Sequence, residues 1–210
     1  MEHREWKKSD LQTFWGDIAR NDHLVQLYEN EKVFLDTLEG YAGCALLSGD
    51  SIVIIATKKH LDSLNARLKN QNFRVEELAA SGRILTVDVN TALSNFMVDG
   101  IPDEELFNNY INGLICAAAK DGRHVRAFGE MVSELWQNGF YEATAKLQVL
   151  WANLHANEKF SLFCAYPVKS FQHVPKEKFL NICTLPSKLI DGRSKPSTEI
   201  HYNNLDTSSN

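Results

Sequence analysis

The sequence predicts an α/β fold, a mostly parallel sheet with helices on both faces. Short apolar runs such as Ser51-Ile-Val-Ile-Ile-Ala56 are β-branched and lack polar alternation, the pattern of a strand covered on both sides. Between such runs, over residues 23–166, lie longer segments whose apolar residues recur at helical spacing. Strands that alternate with helices in this way are joined by crossovers, which makes the sheet parallel.

The elements follow in order. Residues 1–22 form a polar lead-in that carries Trp6, Phe14, Trp15 and Ile18 and reads as one short helix. His23-Leu-Val-Gln-Leu-Tyr28 is the first strand, and Asn30 or Glu29 stands where it can cap a helix marked by Val33, Phe34, Leu38 and Tyr41. Ser48-Gly49-Asp50 turns the chain into the strand that begins at Ser51. Leu61, Leu64 and Leu68 mark a helix over 59–70, and Ser81-Gly82 leads into a strand over 83–88. Asn90 or Thr91 is placed to cap a short helix through Met97, and Pro102 stands at the start of a longer one. The longer helix carries Leu106, Phe107, Tyr110, Ile111, Leu114 and Ile115 and ends at Asp121-Gly122. A strand over 124–128 is followed by two helices hinged at Gly139. A last strong strand over 160–166 is closed by Pro167. From about Lys188 the chain is polar and reads as a loose tail. The chain thus divides into a lead-in (1–22), a core domain (23–172) and a C-terminal extension (173–210).

Composition narrows the function. A net charge of −5, from 22 basic and 27 acidic residues, gives no general attraction to nucleic acid or to an anionic membrane. No apolar run approaches the roughly 18 residues that span a bilayer, and the charged N-terminus does not read as a secretory signal. A cytoplasmic location is the expectation. Cys44, Cys116, Cys164 and Cys183 form no C-x-x-C pair. The first three stand in apolar contexts, as expected of buried free thiols.

A parallel sheet collects ligands at the carboxyl ends of its strands. Those ends carry Tyr28 and Glu29, Thr57 to His60, Asp88 to Asn90, Gly129 and Glu130, and Tyr166. A phosphate loop needs glycines so that backbone amides can surround the phosphates. After the first strand the chain reads Glu29-Asn-Glu-Lys-Val, and after the second Thr57-Lys-Lys-His-Leu, with no glycine in either. Ordinary NTPase activity is therefore not expected. Glu130, in "RAFGEMVSELW", has two readings: a carboxylate that binds a ligand or orients water, or an acid placed in the first turn of a helix for the sake of its dipole. Gly129 would let the chain turn sharply before it. Arg126 shares a face with Glu130 if the strand persists between them. The histidines form no H-x-x-x-H pattern, so no metal is expected. There is no G-x-S-x-G elbow, and Cys164 in its apolar strand reads as packing rather than as a nucleophile. No cofactor is expected.

Several ordered phrases resemble a known family. They are "HLVQLYENEKVFLDTL", "SGDSIVIIATKKHLDSLNARL", "GRILTVDVNTALSNFMVDGIPDEELF", "VRAFGEMVSELWQNGFYEATAKLQVLWANL" and "FSLFCAYP". The chain is similar over about residues 22–172 to the MEDS family, the methanogen/methylotroph DcmR-type sensory domain. The most specific strings are R-x-F-G-E-M-V-x-x-L-W and L-x-C-A-Y-P, supported by H-x-V-Q-x-Y. The resemblance implies a RecA/KaiC-like three-layer core without a Walker A motif. It implies a prokaryotic signal-input module, non-enzymatic, that senses a small organic ligand such as a hydrocarbon derivative. By position, the hallmark residues are His23, Gln26, Tyr28, Arg126, Gly129, Glu130, Trp136 and Tyr166, which stand as ligand-binding candidates.

Relatives of this kind accompany a histidine kinase, a PAS domain or a DNA-binding helix-turn-helix. This chain has no room for a kinase, and a lead-in of 22 residues is too short for a helix-turn-helix. Output is expected through a partner such as a histidine kinase or transcription regulator. Two rival readings stand beside this one. One is a residual nucleotide-binding protein or enzyme with Glu130 as base and Arg126 as anion clamp. The other is a ligand-free scaffold that dimerises with itself.

Overall fold

The computed structural model describes residues 21–171, 188–191 and 200–202. The lead-in helix expected before residue 21 and Cys183 lie outside the described residues. Strand β1 (His23–Tyr28) leads into helix α1 (Glu31–Leu47), and β2 (Ser51–Ala56) into α2 (Lys58–Asn70) and α3 (Val75–Ala80). After β3 (Ile84–Asp88) come α4 (Val89–Ser94), a small hairpin of β4 (Met97–Val98) and β5 (Ile101–Pro102), and α5 (Glu104–Ala118). Then follow β6 (Val125–Gly129), α6 (Met131–Gln137), α7 (Tyr141–Asn157) and β7 (Phe160–Pro167). Strands β8 (Lys188–Asp191) and β9 (Ile200–Tyr202) come last.

The main sheet runs in the order β3-β2-β6-β7-β1-β8-β9. Every neighbouring pair is parallel except β8 with β9. Alternate residues of each strand point to opposite faces, and this divides the core in two. Val25, Val53, Ala127 and Leu162 meet α4 to α7 on one face, whereas Leu24, Ile54, Phe128 and Phe163 meet α1 and α2 on the other. On the first face Phe107 packs edge-on against Trp151 (5.4 Å) and Phe96 (5.3 Å). The three-layer α/β architecture is the one the apolar runs predict.

Side-chain caps set the helix starts. Asn30 accepts from the amide of Lys32, Thr57 from His60, and Asp103 from Leu106. At α4 the cap is Asp88, which accepts from Asn90 and Thr91, rather than either of those residues. The helix starts earlier than expected and ends at Ser94. Pro102 lies in the β4–β5 hairpin, so Asp103 and not the proline marks the start of α5. Gly139 takes φ +82° and separates α6 from α7, the hinge expected of it. Strands β8 and β9 fall in the stretch that reads as polar tail. β8 adds to the sheet beside β1, and Ile190 joins the core. Cys44 and Cys164 are buried, but Cys116 is exposed, because the run around it belongs to an amphipathic helix with one wet side. Among the described residues no helix is long and apolar enough to cross a membrane.

Candidate functional site

Three βα units meet at the carboxyl edge of the sheet. From the first comes Glu31, in the opening turn of α1. Only Glu29 and Asn30 separate β1 from α1, and Asn30 uses its side chain to hold the amide of Lys32. A phosphate cradle needs a longer loop with free amides. From the second unit come Thr57, Lys59 and His60 at the start of α2. From the third comes Glu130, which follows β6.

Glu130 occupies the N-cap position of α6 but makes no side-chain cap bond there. The ladder carries on one step past β6, with the Glu130 amide donating to Ile55 O at 2.9 Å. Its buried carboxylate turns toward α2 instead. Oε2 accepts from the Thr57 amide at 2.8 Å, and Oε1 lies 2.6 Å from His60 Nδ1. The acid therefore starts one helix and serves the positive end of another. His60 Nε2 contacts Glu31 Oε1 at 3.1 Å, and Lys59 Nζ donates to Glu31 Oε2 at 2.8 Å. The result is a chain of alternating charge from Glu130 through His60 to Glu31 and Lys59.

The electrostatics follow from that order. Burial of the His60 ring disfavours its charge, but the hydrogen bonds and charges of Glu130 and Glu31 outweigh burial and raise its pKa above the usual histidine value. Lys59 first, and His60 after it, hold Glu31 below the usual carboxylate range. Beneath the chain of charges lies an aromatic base. Phe34 stacks on Tyr28 (4.9 Å) and meets the His60 ring edge-on (4.9 Å). Burial, then the carboxylates of Glu130 and Glu31, raise the Tyr28 pKa, so its hydroxyl is a donor at neutral pH.

Above these groups opens a cleft of about 420 Å³. Tyr28, Glu31, Lys59, His60 and Glu130 line it, together with Glu29, Glu134 and Lys169. Both nitrogens of His60 are engaged by carboxylates, so it can act as a base only if one contact is released. A ligand that offers a cation or a hydrogen-bond donor could take over either carboxylate. Among the described residues no group of acids, histidines and cysteines could hold a metal ion.

Of the eight sequence candidates, Tyr28 and Glu130 line this cleft and the others do not. Gly129 sits just behind it in ordinary backbone, with no positive φ. A Cβ there would meet Trp151 at an ordinary 3.6 Å, so the turn does not require glycine. Arg126 does share the α1–α2 face with Glu130, although the strand ends at Gly129 and Glu130 has helical backbone angles. Four residues of strand separate them by about 13 Å, and Arg126 Nε donates to Asp50 at 2.9 Å at the opposite end of the sheet. Gln26 is fully buried and donates to Thr37 Oγ1 in α1. His23 packs against His155 at the amino end, and burial, then the charge of His155, pushes its pKa down to about 3. Trp136 donates from its indole to Ser170 O. Tyr166 lies in the core on the α6–α7 face. Near it Cys164 is no nucleophile, because burial pushes its thiol up to about 12 against a hydrogen bond from Tyr166.

Lys59 and His60 fall within the strand-end stretch that the sequence points to but are not singled out there as ligand-binding candidates, and Glu31 is not named at all. A strand end is a weak signal, and only the packing of α1 against α2 brings these three to Glu130.

Comparison with known proteins agrees with the fold. A KaiC-like protein from Pyrococcus horikoshii OT3 superimposes with a TM-score of 0.57 at 12% identity, over 83% of this chain and 73% of that one. An uncharacterized protein from Pyrococcus horikoshii, crystallised with an unknown peptide, gives 0.60 at 12% identity, over 87% of this chain and 82% of that one. No curated protein matches the sequence. The model of the MEDS family, the methanogen/methylotroph DcmR sensory domain, matches residues 22–180, and the chain belongs to that family.

Proposed function

We propose that the chain is a signal-input domain that binds a small organic molecule in the cleft at the carboxyl edge and passes its state to a partner protein. The observation that carries this reading is the buried Glu130 carboxylate, spent on the Thr57 amide and His60 above a β1–α1 turn too short to hold a phosphate. A polar group on the ligand would displace His60 from Glu130 or Glu31. Because those three residues belong to different βα units, the exchange would alter how α1, α2 and α6 are held together. Four acids (Glu29, Glu31, Glu130 and Glu134) outnumber Lys59 and Lys169 in the lining, which favours a neutral or cationic polar group over a phosphate. A hydrocarbon derivative with a hydroxyl, carbonyl or amino end fits the Tyr28 ring and the charged wall together. The partner's kind, a histidine kinase or transcription regulator, is carried over from the family.

Two observations favour a second reading, acid–base chemistry on a bound substrate: the open cleft and the 2.6 Å contact of His60 with Glu130. An anion clamp at Arg126 is not part of it, since Arg126 is held by Asp50 at the other end of the sheet.

Thermal unfolding against a panel of small alcohols, aldehydes, amines, haloalkanes and nucleotides separates the two. A binder at a hundredfold excess over its Kd should stabilise the protein by about 2.7 kcal/mol. The effect should shrink in Glu130→Gln, with the ligand unchanged after incubation. Turnover of a panel member, ATP included, that Glu130→Gln abolishes would replace sensing with catalysis.

A further inference from the structure

A second cleft lies on the other side of α2. Its base is core, since Ile52, Ile54, Leu64 and Leu68 line it and each is 3% exposed or less. Val75 and Ala79 of α3 wall one side, and Ile84 and Thr86 of the edge strand β3 wall the other. The volume, about 400 Å³, is that of a small-molecule pocket. Polar groups stand along the exposed rim, where Lys58 and Asp62 pair at 3.1 Å and Asn65, Glu76, Thr86 and Asp88 also line the cleft.

We propose that this α2–α3 cleft binds a small, largely apolar molecule that carries a hydrogen-bonding group, and that it is coupled to the carboxyl-edge cleft through the first turn of α2. An apolar base under a polar rim selects for a molecule of that kind. The base lies deep between helix and sheet, so a strand or helix laid over the mouth would cover the cleft without filling it. The coupling follows from sequence spacing. Lys58, Leu61 and Asp62 line this cleft, and Thr57, Lys59 and His60 line the other. These residues share little more than one helical turn, so α2 cannot move against β2 without moving His60 relative to Glu130. The far end of α2 is tied to α1, with Arg67 held by Asp36 at 2.7 Å and Glu39 at 2.8 Å. The first turn is tied to Glu130 and Glu31 instead, so a shift of α2 against the sheet is felt at those contacts. The site does not depend on what occupies the carboxyl edge.

The test is an NMR titration of the labelled full chain with butanol, hexanol and benzyl alcohol. Saturable binding is expected, tighter for hexanol than for butanol, with shifts in the methyls of Leu64, Ala79 and Ile84. The His60 ring resonances should move along the same binding curve. Ala79→Trp, on an exposed helical position, should block the mouth and weaken hexanol by about tenfold. Thr86→Phe, on the open sheet edge, should do so from the opposite wall without touching the helix. Hexanol binding that survives both variants, or no saturable binding by any of the three alcohols, would overturn the site. Binding that leaves His60 unmoved would overturn the coupling. The carboxyl-edge reading is judged by Glu130→Gln and this one by Ala79→Trp and Thr86→Phe, so either can fail alone.

Discussion

Glu130 answers at the residue scale what its sequence context leaves open. An acid between a strand and a helix can serve catalysis, ligand binding or the helix dipole, and the sequence cannot choose because the partners are far away in it. The structure spends the carboxylate on Thr57 and His60, both in a different βα unit. Removing it would leave a buried amide and a half-buried imidazole without their acceptor. Glu130→Ala is therefore expected to cost about 1–3 kcal/mol of stability, read by urea unfolding. Glu130→Gln keeps an oxygen for the Thr57 amide and should cost less. Two of the sequence candidates, Tyr28 and Glu130, reach the cleft. The reason the rest do not is geometric. Arg126, Gln26 and His23 lie on the same strands but further from their carboxyl ends, and a strand separates side chains along its length by about 3.3 Å per residue.

At the scale of elements, legibility tracks how local the signal is. The five strands from β1 to β7 that make up the parallel core announce themselves as apolar runs, and α5 by its stripe. Helix α3 does not, since none of its residues is fully buried and no side chain caps it. Strands β8 and β9 take their place by pairing with β1 and with each other, which no local periodicity encodes. Where the pattern was clear, the packing explains it. Phe107, spaced with Ile111 and Ile115 along α5, inserts between Phe96 and Trp151 with no exposed surface. Phe107→Ala should cost about 3–5 kcal/mol and lower the thermal midpoint without changing the far-UV spectrum of the native state.

At the scale of the whole molecule, the amino and carboxyl edges of the sheet respond to pH with opposite sign. At the amino edge the half-buried His23, depressed to about 3 in the fold, takes up its proton more readily when unfolded. Its contribution to stability is complete above about pH 6.5 and is lost as pH falls toward 3. His23→Phe should flatten that acid limb in thermal midpoints measured across the range. At the carboxyl edge His60 is raised, so its contribution is complete below about pH 6.5 and fades as pH rises through its folded pKa. That edge is where the three βα units are held together, and the central claim is that Glu130 holds them by holding His60. An imidazole-detected NMR titration of His60 in the wild type and in Glu130→Gln tests this most directly. The account predicts a wild-type midpoint above that of an ordinary histidine and a clear fall in the variant. A midpoint that is ordinary in the wild type, or unchanged by Glu130→Gln, would contradict it.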